Sequence, residues 1–118
     1  MSFLDLTQIR KKWPEKASIW SALENWMKRY PQSTVIPVFE IFTNSPTKID
    51  PLDLVEAIDL LVQAHIVKKR FRVIDPNQRI ILPDSFSDRT DVPEEVRDNF
   101  DRPVRVSSNN IAMVLEHN

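Results

Sequence analysis

The chain has 118 residues, no cysteine, no glycine and nine prolines, with 42% apolar and 28% charged side chains and a formal net charge of −1. That length suits one domain with one core, and the balance of apolar and charged residues excludes a fibrous repeat or global disorder. Without cysteine there is no disulfide, thiolate metal site or thiol nucleophile; without glycine, phosphate-cradling loops, dinucleotide fingerprints and nucleophile elbows cannot be built, because each needs positive φ or a close backbone approach.

In chain order, residues 2–9 read as a short helical arm with Phe3, Leu6 and Ile9 on one side, followed by Arg10-Lys11-Lys12. From about 14 to 30, Ile19, Trp20, Leu23, Trp26, Met27 and Tyr30 recur at the spacing of an amphipathic helix. Pro31 ends it, since the residue before a proline is driven out of the α region. Trp13, Trp20 and Trp26 read as core or arm-packing residues, and Trp13, flanked by Lys12 and Pro14, is the one placed for an interface. For residues 33–44 two readings stand. One is a helix capped by Ser33 or Thr34, with Pro37 in its first turn and Phe39 and Phe42 facing the core; the other is a strand over 35–42, rich in β-branched and aromatic residues. Asn44-Ser45-Pro46 closes the segment.

Asp50 as N-cap and Pro51 at the first helical position open a third helix, filled by residues 52–64. Its Leu54, Val55, Ile58, Leu61 and Val62 spread over a wide buried arc, while at 100° per residue Asp53, Glu56, Asp59 and Gln63 share a polar arc that also contains Leu52 and Leu60. Two strands follow, 67–74 and 79–82, joined by Asp75-Pro76-Asn77-Gln78. Alternation in the first puts Lys68, Arg70, Arg72 and Ile74 on one face, a ladder of three cations. Beyond Pro83 an acidic connector is expected to be ordered by Phe86, Val92, Val96 and Phe100, with a short helix over 92–96. A last hairpin is expected from 104–107 to 111–115, turned at Asn109-Asn110 in a type I′ geometry.

A helix, a short helix, a capped helix and then Leu60-Leu61-Val62-Gln63-Ala64-His65-Ile66-Val67 running into a basic strand resembles the winged helix-turn-helix superfamily, over residues 18–82. The last helix of that superfamily often ends L-x-x-x-G-(L/I)-(V/I). His65 stands at its glycine, a left-handed position in which His is among the enriched residues. The resemblance implies an α+β fold: a three-helix winged-helix core with a β-hairpin wing, extended here by a C-terminal β-hairpin. The expected organisation is an N-terminal arm over 1–15, the winged-helix domain over 16–82, and an acidic connector with the C-terminal hairpin over 83–118, packed on the same domain.

Members of the superfamily usually bind DNA through the helix that here carries Asp53, Glu56 and Asp59 with no Lys or Arg, a helix that repels phosphate. By segment, cations number seven against four carboxylates in 1–48, none against four in 49–65, five against one in 66–82 and four against eight in 83–118. Such alternation suits a partner of patterned charge, or a second copy of the chain, better than a polyanion. Reactive groups are sparse: His65 sits at a helix end and His117 beside the terminus. Asp84, Asp88, Asp91 and Glu95 mimic a calcium loop in length only, because Phe86 and Arg89 stand where a ligand and the turn glycine belong. No cofactor or metal is expected. No apolar run reaches the ~18 residues of a membrane span, and Asp5 and Gln8 interrupt what a signal peptide would need, so a cytoplasmic protein is expected. The reading is a non-catalytic protein-interaction or adaptor module that meets another protein or a larger complex, or its own copies, through Leu52, Asp53, Glu56, Asp59, Leu60 and Gln63. The alternative is a DNA-binding transcriptional regulator contacting phosphates through Lys68, Arg70, Arg72 and Arg79 with the basic N-terminal arm.

Overall fold

Apolar periodicity and proline placement divide the described residues into four helices and six short strands, a mixed α+β fold with antiparallel pairing. The computed structural model describes residues 4–44 and 48–117, without the side chains of Phe42 and Asn44. Phe3, the side chain of Phe42 and the Ser45-Pro46 stop therefore lie outside the described residues. The chain falls into two compact units, Met1–Lys68 with Leu115–Asn118, and Lys69–Val114.

In the first unit the N-terminal segment begins later than its apolar spacing suggests. Asp5 accepts the Thr7 N–H at 3.0 Å, and helix α1 runs over Thr7–Lys12. Leu4, Leu6 and Ile9 are buried, so this segment contributes to the core. A 3₁₀ turn, Pro14–Lys16, leads into α2, Ala17–Arg29, which buries Ile19, Trp20, Leu23, Trp26 and Met27. The Trp20 indole N–H donates to the Trp13 carbonyl at 2.9 Å, which gives the buried ring its polar partner.

Residues 33–44 resolve the two sequence readings by using both. β1, Val35–Pro37, is followed by α3, Val38–Asn44. Pro37 closes β1, an edge strand on which a proline is tolerated, and Ser33 binds the Val35 carbonyl through its hydroxyl instead of capping a helix. Starting the helix at Val38 changes its phase. Ile41 is buried at 2% exposure, whereas Phe39, expected in the core, is 46% exposed.

Helix α4, Pro51–Gln63, opens as its sequence predicts, with the Asp50 carboxylate accepting the Leu52 N–H at 2.9 Å and Pro51 in the first turn. It closes in a Schellman motif: His65 N–H donates to the Val62 carbonyl, Ile66 N–H to that of Leu61, and His65 takes φ 59°. In this chain without glycine, the left-handed positions among the described residues fall on His65, Arg79 and Asp101.

Strand β2, Val67–Ile74, matches its expected range, but its partner β3 runs over Ile81–Phe86, later than the predicted 79–82. The turn absorbs Arg79, at φ 56°, and Ile80, because the Asp75 carboxylate draws in the N–H groups of Asn77 and Gln78 and its carbonyl accepts the Arg79 N–H at 2.7 Å. Pro83 is tolerated within β3 because that strand is a sheet edge, in the order β1-β6-β2-β3.

In the second unit Val73, Leu82, Val96 and Val104 form a small core, flanked by Phe86, Val92 and Val106. The helix expected over 92–96 is absent. A 3₁₀ turn, Arg89–Asp91, precedes β4, Glu95–Arg97, whose exposed-buried-exposed alternation points Val96 alone into the core. β4 pairs antiparallel with β5, Pro103–Arg105. The expected terminal hairpin is likewise corrected. Asn109-Asn110 lies in a 3₁₀ turn, Ser108–Asn110, with Ser107 and Asn110 in a reciprocal capping box, and β6, Ile111–His117, joins the four-stranded sheet instead of pairing with β5. Phe100, expected to hold the connector, is 68% exposed at the tip of the β4–β5 turn. No helix among the described residues is long and apolar enough to cross a membrane.

Candidate functional site

The solvent side of α4 is built from Leu52, Val55, Glu56, Asp59 and Gln63, which fall within about 100° of one another on the helix. Leu52 is 64% and Val55 53% exposed, an apolar pair one turn apart at the N-terminal end. The exposure of Val55 corrects its expected place in the buried arc. Five apolar side chains around the helix span more than its neighbours cover, and burial goes to Leu54, Ala57, Ile58 and Leu61.

Lys16 reaches the same helix from the 3₁₀ turn. Its ammonium lies 3.1 Å from Asp53 Oδ1 and 2.7 Å from Glu56 Oε2. The lysine side chain is 10% exposed, against 58% for Asp53 and 54% for Glu56. The hydrogen bond to Glu56 contributes most, and together with the bond to Asp53 and the two negative charges it overcomes desolvation and raises the lysine above its ordinary value. These two carboxylates therefore share one cation, and Asp59 is an exposed acid beyond the clamp.

Leu60, expected among the acids, is half-buried in a cleft of about 750 Å³ lined also by Ile9, Lys11, Lys12, Trp13 and Ile66, with Gln63 at its edge. The six expected contact residues thus divide: Leu52 belongs to the exposed N-terminal patch, Asp53 and Glu56 to the lysine clamp, Leu60 and Gln63 to the cleft, and Asp59 lies between. No pattern in α4 foretold the clamp or the cleft, since both depend on residues from before α2.

The basic strand is partly consumed by the fold. Lys68 and Lys69 are exposed, but Arg70 is half-buried and donates across the hairpin to the Ser85 hydroxyl at 3.3 Å and carbonyl at 3.0 Å. Arg72 is half-buried and also engaged, and Arg79 lies in the turn outside both strands. Of the arm cations, Arg10 pairs with Glu24 at 2.9 Å.

The acidic residues of the connector serve turns. Asp88 caps the 3₁₀ turn by accepting the backbone N–H and the hydroxyl of Thr90, both at 3.0 Å, and the first of these holds its carboxyl below the ordinary range. Asp91 accepts from the Ser87 hydroxyl, while Asp84 and Glu95 are exposed on separate strands. Among the described residues no three His, Asp or Glu side chains converge on a point that could hold a metal ion. His65 is accounted for by the helix C-terminus.

Sequence reasoning missed Asp98. Its carboxylate accepts the N–H groups of Phe100 and Arg102 at 2.8 Å each and the Arg102 guanidinium at 3.1 Å, fixing the turn between β4 and β5. An Asx-type turn signal at Asp98-Asn99 was present in the chain. Searches of family models, curated proteins and solved structures returned no match for this chain.

Proposed function

We propose that the chain is a non-catalytic protein-interaction module of winged-helix type, acting in the cytoplasm and docking on another protein through the solvent face of α4. The observation that carries this reading is the exposed pair Leu52 and Val55 beside Asp59 and the outer edge of Glu56. Large apolar side chains left bare and rimmed by charge have the anatomy of a contact surface. The winged-helix assignment draws support from the order α2, β1, α3, α4, β2 and from the sheet, where β6 lies between β1 and β2. On this reading β6, in place of the expected strand over 79–82, is the second strand of the wing beside β2, and residues 75–110, with β3 among them, are an elaboration between β2 and β6.

The acidic helix disfavours DNA, and the engagement of Arg70 and Arg72 leaves Lys68 and Lys69 as the exposed cations of the strand. The test is affinity purification of the full chain from its native cell with nuclease treatment, comparing wild type with Leu52→Arg and with Asp59→Lys. A protein partner that survives nuclease and is lost with either variant supports the reading. Partners equally retained by both variants, or captured only when nucleic acid is intact, overturn it. Asp59 is preferred to Glu56 for charge reversal because a lysine at 56 would also break the Lys16 clamp.

A further inference from the structure

The cleft between α1 and the C-terminal half of α4 has an apolar floor of Ile9, Trp13, Leu60 and Ile66. Lys11 and Lys12 stand on its rim, exposed, and no carboxylate among the described residues forms an ion pair with either. Asp5, also in the lining, accepts the Thr7 N–H and stays a carboxylate, so the two lysines leave the cleft with an excess of one positive charge. A volume of about 750 Å³ lies in the range of ligand-binding clefts, and an apolar floor under that positive excess favours an apolar group accompanied by negative charge.

The chain carries such a group itself. Leu52 and Val55 are bare, and Asp59 follows Val55 by one turn on the same face. A molecule cannot fill its own cleft with them, because Leu52 and Leu60 belong to one rigid helix and lie about 12 Å apart along its axis. We propose that a second copy of this chain seats its Leu52–Val55 face in the cleft, with its Asp59 and the outer edge of its Glu56 against Lys11 and Lys12. The inference rests on the proposed use of the α4 face and names one partner for it. Face and cleft are different surfaces, so the contact is heterologous. Each added copy brings a free cleft or a free face, and assembly proceeds head to tail unless a ring closes. Salt weakens it by screening the lysine–carboxylate pairs.

The test is sedimentation velocity on the full chain at rising concentration and at low and high salt. Wild type is expected to associate, and less so in high salt. Leu52→Ser/Val55→Ser, which blunts the face, and Lys11→Glu/Lys12→Glu, which reverses the rim, change only exposed positions and are each expected to weaken association by at least about tenfold. Mixed together, they are expected to form a dimer that grows no further, the intact face of one in the intact cleft of the other. A monomeric wild type, association undiminished in either variant, or a mixture that stays monomeric overturns the proposal. A monomeric wild type whose cellular partner is still lost with Leu52→Arg leaves the α4 reading standing. Association that needs the lysines but ignores Leu52 and Val55 counts against both.

Discussion

Asp98 shows how much a single carboxylate organises in a chain without glycine. Its side chain is 4% exposed and receives two backbone N–H groups and the Arg102 guanidinium, while Asp101 takes φ 59° to bring those donors round. The Arg102 N–H contributes most to holding the carboxyl below its ordinary value of 3.8, and burial opposes it without winning. Because the folded value lies below the unfolded one, the stabilisation is complete above the unfolded value and is lost as pH falls through the folded one. Asp5 and Asp88 are lowered in the same direction, by the Thr7 and Thr90 N–H groups first. Thermal unfolding followed by circular dichroism is therefore expected to show a falling midpoint below about pH 4. Asp98→Asn should lower the midpoint at neutral pH and flatten part of that acid slope; a slope unchanged by Asp98→Asn would contradict this account. Much at this scale was legible in advance, including the Asp50 cap and the left-handed His65, because caps and C′ positions are set by residues within one helical turn.

Between elements, side chains far apart in sequence hold the first unit together. Trp26 on α2 donates its indole N–H to Glu40 on α3 at 2.7 Å, partly out of solvent. Hydrogen bonds to charged groups contribute about 1.5–3 kcal/mol, so Trp26→Phe is expected to lower stability to urea by about that amount. Glu40→Gln should cost less, since its amide oxygen still accepts the bond. In Trp26→Phe the Glu40→Gln change should lose most of its effect, and additive costs would place the energy in ring packing instead. The helix α2, the opening of α4 and the extent of β2 were readable from periodicity and capping. The segment 33–44 gave two signals because a strand and a helix divide residues 35–44 between them, and the shift of helix phase moved burial from Phe39 to Ile41. Strands around β5 and β6 were anticipated but mispaired, since adjacency in sequence favoured a hairpin and burial of Val104 beside Val73, Leu82 and Val96 prevailed.

At the scale of the whole molecule the two units differ in what secures them. The first buries several aromatic and aliphatic side chains from α1, α2 and α4, while the second is centred on four residues and includes a two-stranded sheet of three-residue strands. Isolated two-stranded pairing is marginal, and regions with few buried apolar side chains open at lower free energy. Native-state hydrogen exchange should therefore be at least about tenfold faster for amides of β4 and β5 than for the central turns of α2 and α4. Uniform protection across both units would show that they open together.

The amino-acid order was enough for the mixed α+β class, the acidity of α4 and the N- and C-terminal signals of that helix, because each follows from single residues, from neighbours within a turn or from the period of the apolar pattern. Strand partners, the exposure of Val55, the cleft beside Leu60 and the capture of Asp53 and Glu56 by Lys16 across 37 and 40 residues came from folding. Backbone hydrogen-bonding groups are alike at every position and a lysine can pair with any carboxylate, so such choices follow from which apolar surfaces meet, a condition of the whole chain that no local pattern encodes.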